Sequence, residues 1–295
     1  MRVILTTLDL SRQAIPVRLT VVSRPPGDPH ARIAAMKDAP PNKLHRTNQF
    51  GQPVGFDVPG WKAPPFPPHL TLAGRYCRLE PLNAAKHARA VFDAQAEDRD
   101  GTRWTYSFHG PYADFAAYEE WARAGEGSRD PQFYAIVDAA SGRAAGTCSY
   151  LRIEPKHGVI EVGNIYFSPR LAQTRAATEG MYLLMANAFA LGYRRYEWKC
   201  DSCNLPSRLA ATRFGFTYEG MFRQAIVNKG RNRDTTWFAI VDGDWHGGLQ
   251  DAYLRWLDPA NFDAAGKQKL RLSALTAPFV QRDSADAPPP LEKRE

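Results

Sequence analysis

The decapeptide LAQTRAATEG (171–180) is where main-chain chemistry is easiest to picture in this chain. It follows an apolar run, Val159–Phe167, with the composition of a strand, and leads into a strongly apolar helix over about Arg175–Leu191, stopped at Gly192. A strand–loop–helix junction aims unpaired backbone amides at whatever sits above the helix start. Those amides and the helix dipole together favour phosphate. Small residues (Ala176, Ala177) stand where a ligand must approach the backbone, and Arg170 and Arg175 add positive charge. The same residues suit an ordinary helix start with solvated arginines, and without a glycine both readings stay open. The cysteines offer less. Cys200 and Cys203 form one CxxC, whereas Cys77 and Cys148 stand alone. Zinc normally wants two such pairs, or one pair with spaced histidines, and four cysteines are too few for a disulfide scaffold. No metal is expected, and the thiols read as reduced ones in a cytoplasmic protein.

These residues need elements to hold them. Arg75–Pro81 reads as a short strand and Asn83 as the N-cap of a helix over Ala84–Ala96. A polar loop, Asp98–Phe108, carries Trp104, Tyr106 and Phe108. Asp114–Ala124 is a second helix with Phe115, Tyr118 and Trp121 at helical spacing. Gln132–Asp138 and Thr147–Ile153 form a hairpin around AASGRAAG. After the 175–191 helix come a strand at Arg194–Lys199 and a short helix capped by Asn204, with Pro206 in its first turn and Gly215 past its end. Strands at Phe216–Ala225 and Thr235–Val241 follow. Antiparallel hairpins, one β-α-β crossover and a terminal strand pair predict one mixed α/β domain.

The net charge is +7, but residues 1–50 hold eight basic and three acidic residues and so carry +5 of it. The basicity therefore belongs to the leader, which argues against a nucleic-acid surface on the body. No apolar run approaches the roughly 18 residues of a membrane helix. Twelve of the 23 prolines lie in residues 1–70, which marks that end as extended. Residues 1–47 are expected to be a disordered leader, or to precede a true start at Met36. Residues 48–74 read as a strap over the body, because Phe50, Phe56, Trp61 and Phe66 would be costly to leave in water. The domain is expected over 75–245. A C-terminal extension over 246–295 adds a turn or short helix at Asp258–Leu272 and is loose from about 278.

In order, VIEVGNIYFSP, QTRAATEGMYLLMANAFALGY, RRYEWKC and NLPSRLAATRFGF resemble the GNAT superfamily of N-acetyltransferases, and within it the RimJ/RimL-like branch. The likeness runs from about Tyr76 to Trp245. It is carried by an Asn-x-x-Ser that opens a helix ending in Gly-Phe (Asn204, Ser207, Gly215, Phe216), by Glu219–Gly220 and by GRNRDTTWFAIVDGDW. The resemblance implies a GNAT-like α/β (α+β) fold with a mixed, mostly antiparallel sheet of about seven strands and helices on both faces. The sheet would splay between two parallel central strands, Val159–Phe167 and Arg194–Lys199. Acetyl-CoA, as co-substrate, would sit in that opening, its pyrophosphate on amides of Gln173, Thr174, Arg175, Ala176, Ala177 and Thr178. The family loop usually reads Gln/Arg-x-x-Gly-x-Gly/Ala, so Arg175 and Ala177 stand at its two glycine positions.

The function so implied is an acyl-CoA-dependent N-acyltransferase. It would move acetyl to a primary amine, either a small molecule or a protein N-terminus, by direct attack in a ternary complex. The alternative is a non-catalytic module of the same fold that binds CoA or a partner. A backbone N–H near Tyr166 or Phe167 would serve the oxyanion, Ser207 would relay a hydrogen bond to the departing sulfur, and Asn204 would bind the CoA arm. Simple N-capping explains Asn204 and Ser207 equally. The family's usual acid, a Tyr, is Ala211 here, and the carboxylate of RimL-type enzymes falls on Ile226. Glu161 is then the candidate base, or an arginine-paired strand carboxylate; His109 is a weaker candidate. Trp104, Tyr106, Phe108 and His109 form an aromatic wall for the acceptor, or a buried flap. A monomer or homodimer with no nucleic-acid or membrane partner is expected.

Overall fold

A computed structural model describes residues 45–280. The expected leader lies outside the described residues except for its last three, and so does the tail beyond 280. Strands β1 (His45–Thr47) and β2 (Pro53–Gly55) pair with each other in the strap. β3 (Leu72–Ala73) and β4 (Cys77–Pro81) open the main sheet. Asn83 caps a wide π-turn, Ala84–Ala88, that continues into α1 (Arg89–Gln95); its Oδ1 accepts the Lys86 N–H at 2.8 Å. Asp114 caps α2 (Phe115–Gly125) in the same way. β5 (Gln132–Asp138), β6 (Ala144–Glu154) and β7 (Val159–Phe167) form an antiparallel meander. Helix α3 (Arg175–Leu191) crosses to β8 (Arg195–Asp201), parallel to β7. Helix α4 (Leu205–Arg213) and a hairpin of β9 (Thr217–Asn228) and β10 (Arg231–Val241) follow, and then α5 (Gln250–Leu257) and α6 (Leu272–Thr276).

The eight-stranded sheet runs β3-β4-β5-β6-β7-β8-β10-β9, and β7–β8 is its parallel pair. Alternation along β5 sorts the two layers. Tyr134 and Ile136 join the core with α3, whereas Phe133, Ala135 and Val137 pack with α1 and α2. That second layer draws no core residue from β7 to β10. Over those strands the loop between α1 and α2 reaches instead to the β9–β10 turn, where Lys229 Nζ donates to the carbonyls of Trp104 (3.0 Å) and Gly110 (2.7 Å). Gly110 has φ +62°, and a Cβ there would meet the Trp104 ring at 2.4 Å, so only glycine lets the loop fold this tightly.

Two outer segments differ from expectation. The chain beyond 245 is built into the core. Trp245 stacks on Phe189 at 5.0 Å, Tyr253 stacks on Tyr182 at 5.5 Å, and Tyr253 donates to the Phe214 carbonyl at 2.8 Å. Its α-helices fall on 250–257 and 272–276, and the short helical turn expected within 258–272 is a 3₁₀ turn at Pro259–Asn261. In the strap Phe50 is 75% exposed, so aromatic burial is not what seats it there. Carbonyls of Pro65 and Pro67 accept from Tyr193 Oη (3.2 Å) and Gln132 Nε2 (3.0 Å), and Trp61 lies against Gly158.

Candidate active site

β7 and β8 are in register only from Val159–Arg195 to Val162–Trp198. Beyond that point Gly163–Phe167 of β7 and Lys199–Asp201 of β8 run on without pairing to each other. On its other edge β7 stays with β6 but slips register between the pairs Ser149–Gly163 and Thr147–Tyr166. The extra residue makes a bulge at Asn164–Ile165, with Asn164 in the left-handed region at φ +48°. A bulge bends its strand and increases the local twist, which carries β7 away from β8. Ser168 N–H donates to the Ala145 carbonyl at 3.2 Å. By the alternation of an antiparallel ladder, Tyr166 then exchanges hydrogen bonds with Thr147, and the Phe167 N–H turns into the gap.

The junction after β7 is open. Thr174 Oγ1 caps α3, accepting the Ala177 N–H at 3.1 Å, and Gln173 holds φ +63° to bring the chain round. The amides of Gln173, Arg175 and Ala176 have no hydrogen-bond partner among the described residues. Consecutive free N–H groups at a helix start form an anion-binding concavity. The other expected amides are occupied: Thr174 donates to the Leu171 carbonyl, Ala177 to Thr174 Oγ1 and Thr178 to the Thr174 carbonyl, and the Thr178 hydroxyl is taken as well, donating to the Thr174 carbonyl and accepting from Arg213. Arg175 does not plug the turn. Its guanidinium lies 4.8 Å over Tyr76 and 4.7 Å over Phe262, an aromatic clamp supplied by β4's approach and the C-terminal segment. Arg170 is turned aside to Glu97. One buried carboxylate not anticipated from sequence, Glu179, accepts the amides of Arg75, Tyr76 and Cys77 and so ties α3 to the start of β4.

Asn204 and Ser207 lie at the open end of β8. Asn204 caps α4, accepting the Ser207 N–H at 3.1 Å. Ser207 does not cap. Its Oγ accepts the indole N–H of buried Trp198 at 3.0 Å, which engages a lone pair, and its hydroxyl lies within hydrogen-bonding reach of the Cys200 thiol. Ala211 is fully buried and Cys200 is held beside Thr236 at 3.2 Å, its thiol pushed up by burial.

The open face of β7, β8 and β10 carries a chain of ion pairs. Glu161 is 2% exposed and both its oxygens are taken: Arg152 holds them bidentately, with Nε at 2.6 Å from Oε2, and Lys199 Nζ lies 2.8 Å from Oε2. Lys199 also reaches Glu197 (2.8 Å) and sits 3.7 Å over the Trp237 ring; Arg195 links Glu197 to Glu219. The expected base is therefore an ion-paired anchor, both of its oxygens engaged by the cations Arg152 and Lys199. His109 fits a base no better. Burial, aided by Lys229, lowers its pKa to about 4, and Tyr112 Oη lies 3.0 Å from its Nδ1. Trp104 is buried and stacks on Tyr166 at 4.3 Å, so it roofs the end of β7 as part of the flap. Tyr106 does face open space. It lines a cavity of about 180 Å³ with Asp201, Cys203, Asn228, Arg231 and Asn232, and its hydroxyl pKa is raised by burial and by Cys203 and Asp201. Arg233, Thr235 and Trp237 on β10 also face this side; sequence reading missed them, since charged and polar residues beside a turn read as solvent-facing. Among the described residues no cluster suited to a metal ion is present, and no helix is long and apolar enough to cross a membrane.

A mixed sheet that parts at its parallel pair, above a helix start with free amides, defines an acetyltransferase architecture. Comparison with known proteins agrees. The family model described as acetyltransferase (GNAT) domain matches residues 77–217. A GCN5-related N-acetyltransferase from Brucella melitensis is 47% identical across 75% of this chain and 100% of its own, with a TM-score of 0.73. A GNAT-family acetyltransferase from Chromobacterium violaceum is 40% identical across 66% of this chain and 98% of its own, with a TM-score of 0.62. RimL, a ribosomal-protein alpha-N acetyltransferase, shares the fold at 18% identity over 58% of this chain and 93% of its own, with a TM-score of 0.51. No curated protein matches. The chain belongs to the GCN5-related N-acetyltransferase (GNAT) family, whose members use acetyl-CoA.

Proposed function

We propose that this protein moves acetyl from acetyl-CoA to a primary amine, a small amine or a protein N-terminus, by direct attack in a ternary complex. The observation that carries the reading is the stretch of β7 beyond Val162, whose main chain has no partner on the β8 side. When bound there, acetyl-CoA supplies the activated acyl group as a thioester. The unpaired edge of Gly163–Phe167 suits the amide-bearing pantetheine arm, as an exposed strand edge suits an extended ligand. The amides of Gln173, Arg175 and Ala176 suit the pyrophosphate. The Phe167 N–H faces the gap as an oxyanion donor. Ser207, its lone pair engaged by Trp198, directs its proton toward the departing sulfur. With Glu161 ion-paired and His109 weakly basic, the acceptor enters as the neutral amine and releases its proton to water. Arg175, which departs from the family loop as Ala211 and Ile226 depart from the family's catalytic residues, is held clear of the loop by its two rings. Calorimetry of the full chain with acetyl-CoA, then a thiol-release assay against amines and short peptides, tests the proposal. Saturable binding and amine-dependent thiol release are expected; no acetyl-CoA binding, or no release with either panel, refutes it.

A further inference from the structure

Arg233 stands apart from the ion pairs beside it. It is 6% exposed, yet its Nε–H has no partner and no carboxylate lies within 4 Å of it among the described residues. Its charged neighbours Glu161 and Asp201 act on it without a direct contact. Glu161 is taken by Arg152 and Lys199, and Asp201 Oδ1 accepts the Cys203 N–H at 2.9 Å. Its partner across the β9–β10 ladder is Ile226, which has no charge to give. The guanidinium instead lies 4.6 Å over the ring of Phe108, an exposed residue of the loop that covers this face. Further along the same face of β10, Thr235 Oγ1 and Trp237 Nε1 are also buried without a partner, and so is the Tyr166 hydroxyl at the end of β7. Burying a guanidinium and several donors unanswered is unfavourable, and for such groups along one face of a strand the expected remedy is a ligand that pairs with them.

We infer that Arg233 determines acceptor specificity by receiving a carboxylate carried on the acceptor amine, with Thr235 and Trp237 able to donate to the same molecule. The inference rests on the acetyl-transfer reading of the neighbouring gap. The planar guanidinium fork matches a carboxylate in a bidentate pair, and one unit of negative charge balances one arginine. A phosphate would bring excess negative charge next to Glu161 and Asp201. The acid can come from a free amino acid or from an acidic residue at a peptide N-terminus, since the chemistry presented to Arg233 is the same.

The test uses acceptors matched except at the carboxylate: amino acids against their amides, and peptides starting with Glu or Asp against those starting with Gln or Asn. Thiol release is measured for both sets. Calorimetry on the CoA-saturated protein reads acid binding without needing turnover. The wild type is expected to favour the acid at least about tenfold in kcat/KM, the scale of one charge-assisted hydrogen bond. Arg233→Gln should abolish that difference and weaken acid binding about ten- to hundredfold, with Arg233→Lys between. Ile226→Glu, across the ladder, should do the same by filling the site from within while keeping the arginine. Acetyl-CoA affinity and the melting temperature confirm that each variant is folded. Which of the two acid sets is favoured identifies the source. Equal handling of acid and amide by the wild type, or a phosphorylated acceptor preferred to the acid, would overturn the inference while leaving acetyl transfer intact. Acid binding lost in Arg233→Gln without turnover of any amine would instead uphold Arg233 and count against acetyl transfer.

Discussion

Replacing Ser207 with alanine removes one oxygen with two separable roles. The first is structural: it accepts the Trp198 N–H at 3.0 Å, and Trp198 is 5% exposed. A buried donor left without an acceptor costs about 1–3 kcal/mol; because Ser207 itself is only partly buried and water can replace it, the low end of about 1 kcal/mol is expected. The second is chemical. A hydrogen bond to a group that gains charge is worth about 1.5–3 kcal/mol, which corresponds to about 10- to 150-fold in rate. Ser207→Ala should therefore lower kcat about 10- to 150-fold, while the Asn204 cap and the α3 amides keep the acetyl-CoA Kd within about threefold. Three measurements separate the roles: thiol release at saturating acetyl-CoA, calorimetric Kd, and the urea midpoint. Trp198→Phe is the companion variant, since it keeps the hydroxyl and frees it from its donor; its stability should fall through lost packing, and its kcat should fall less than that of Ser207→Ala. If Ser207→Ala turns over within twofold of wild type while its urea midpoint drops, Ser207 only anchors Trp198 and the proton relay is refuted.

Glu161→Gln removes the anion shared by Arg152 and Lys199; because Arg152 is half exposed and Lys199 keeps Glu197, a loss of about 1–3 kcal/mol is expected, read by urea denaturation, and an unchanged midpoint would show that the pairs contribute nothing. Arg175→Ala keeps the backbone amide but removes the guanidinium from between Tyr76 and Phe262. Stability should fall by about 1–2 kcal/mol with acetyl-CoA affinity unchanged within threefold, and a large affinity loss would mean the side chain, not the amide, holds the ligand. Below neutrality two groups pull in opposite directions. His109 titrates near 4 when folded against 6.5 unfolded, so between those values the unfolded chain binds more protons and stability falls as pH falls. Burial lifts Asp244 to about 6 from 3.8, so over that window the folded chain binds more protons and stability falls as pH rises. His109→Phe should remove the acid-side loss and Asp244→Asn the opposing slope; urea midpoints from pH 4 to 7 check both, and identical slopes in wild type and variants would refute the assignments.

The readable parts of this protein are those set by neighbours in the chain. Asn83, Asp114, Thr174 and Asn204 each cap a helix, and the bounds of α3 and β7 follow from apolar runs closed by Gly192 and by the Ser168–Thr174 loop. α5 was not expected although Trp245, Leu249, Tyr253 and Trp256 recur at helical spacing, because the family likeness that set the domain boundary runs only to about Trp245. Glu161 illustrates the opposite limit. Its position on β7 suited a base, but that role depends on whether Arg152 and Lys199, from two other strands, reach the same oxygens.

Capping, periodicity and apolar content act over a few residues, so the sequence by itself determined the element order, the crossover between two parallel strands and the helix start with its amides. Where β7 parts from β8, which way Arg175 points, and that Arg233 is buried unpaired beside the gap were decided only in three dimensions. Each depends on side chains brought together from strands, a loop and a C-terminal segment far apart in the chain, and burial and charge pairing are properties of that assembly rather than of any one stretch.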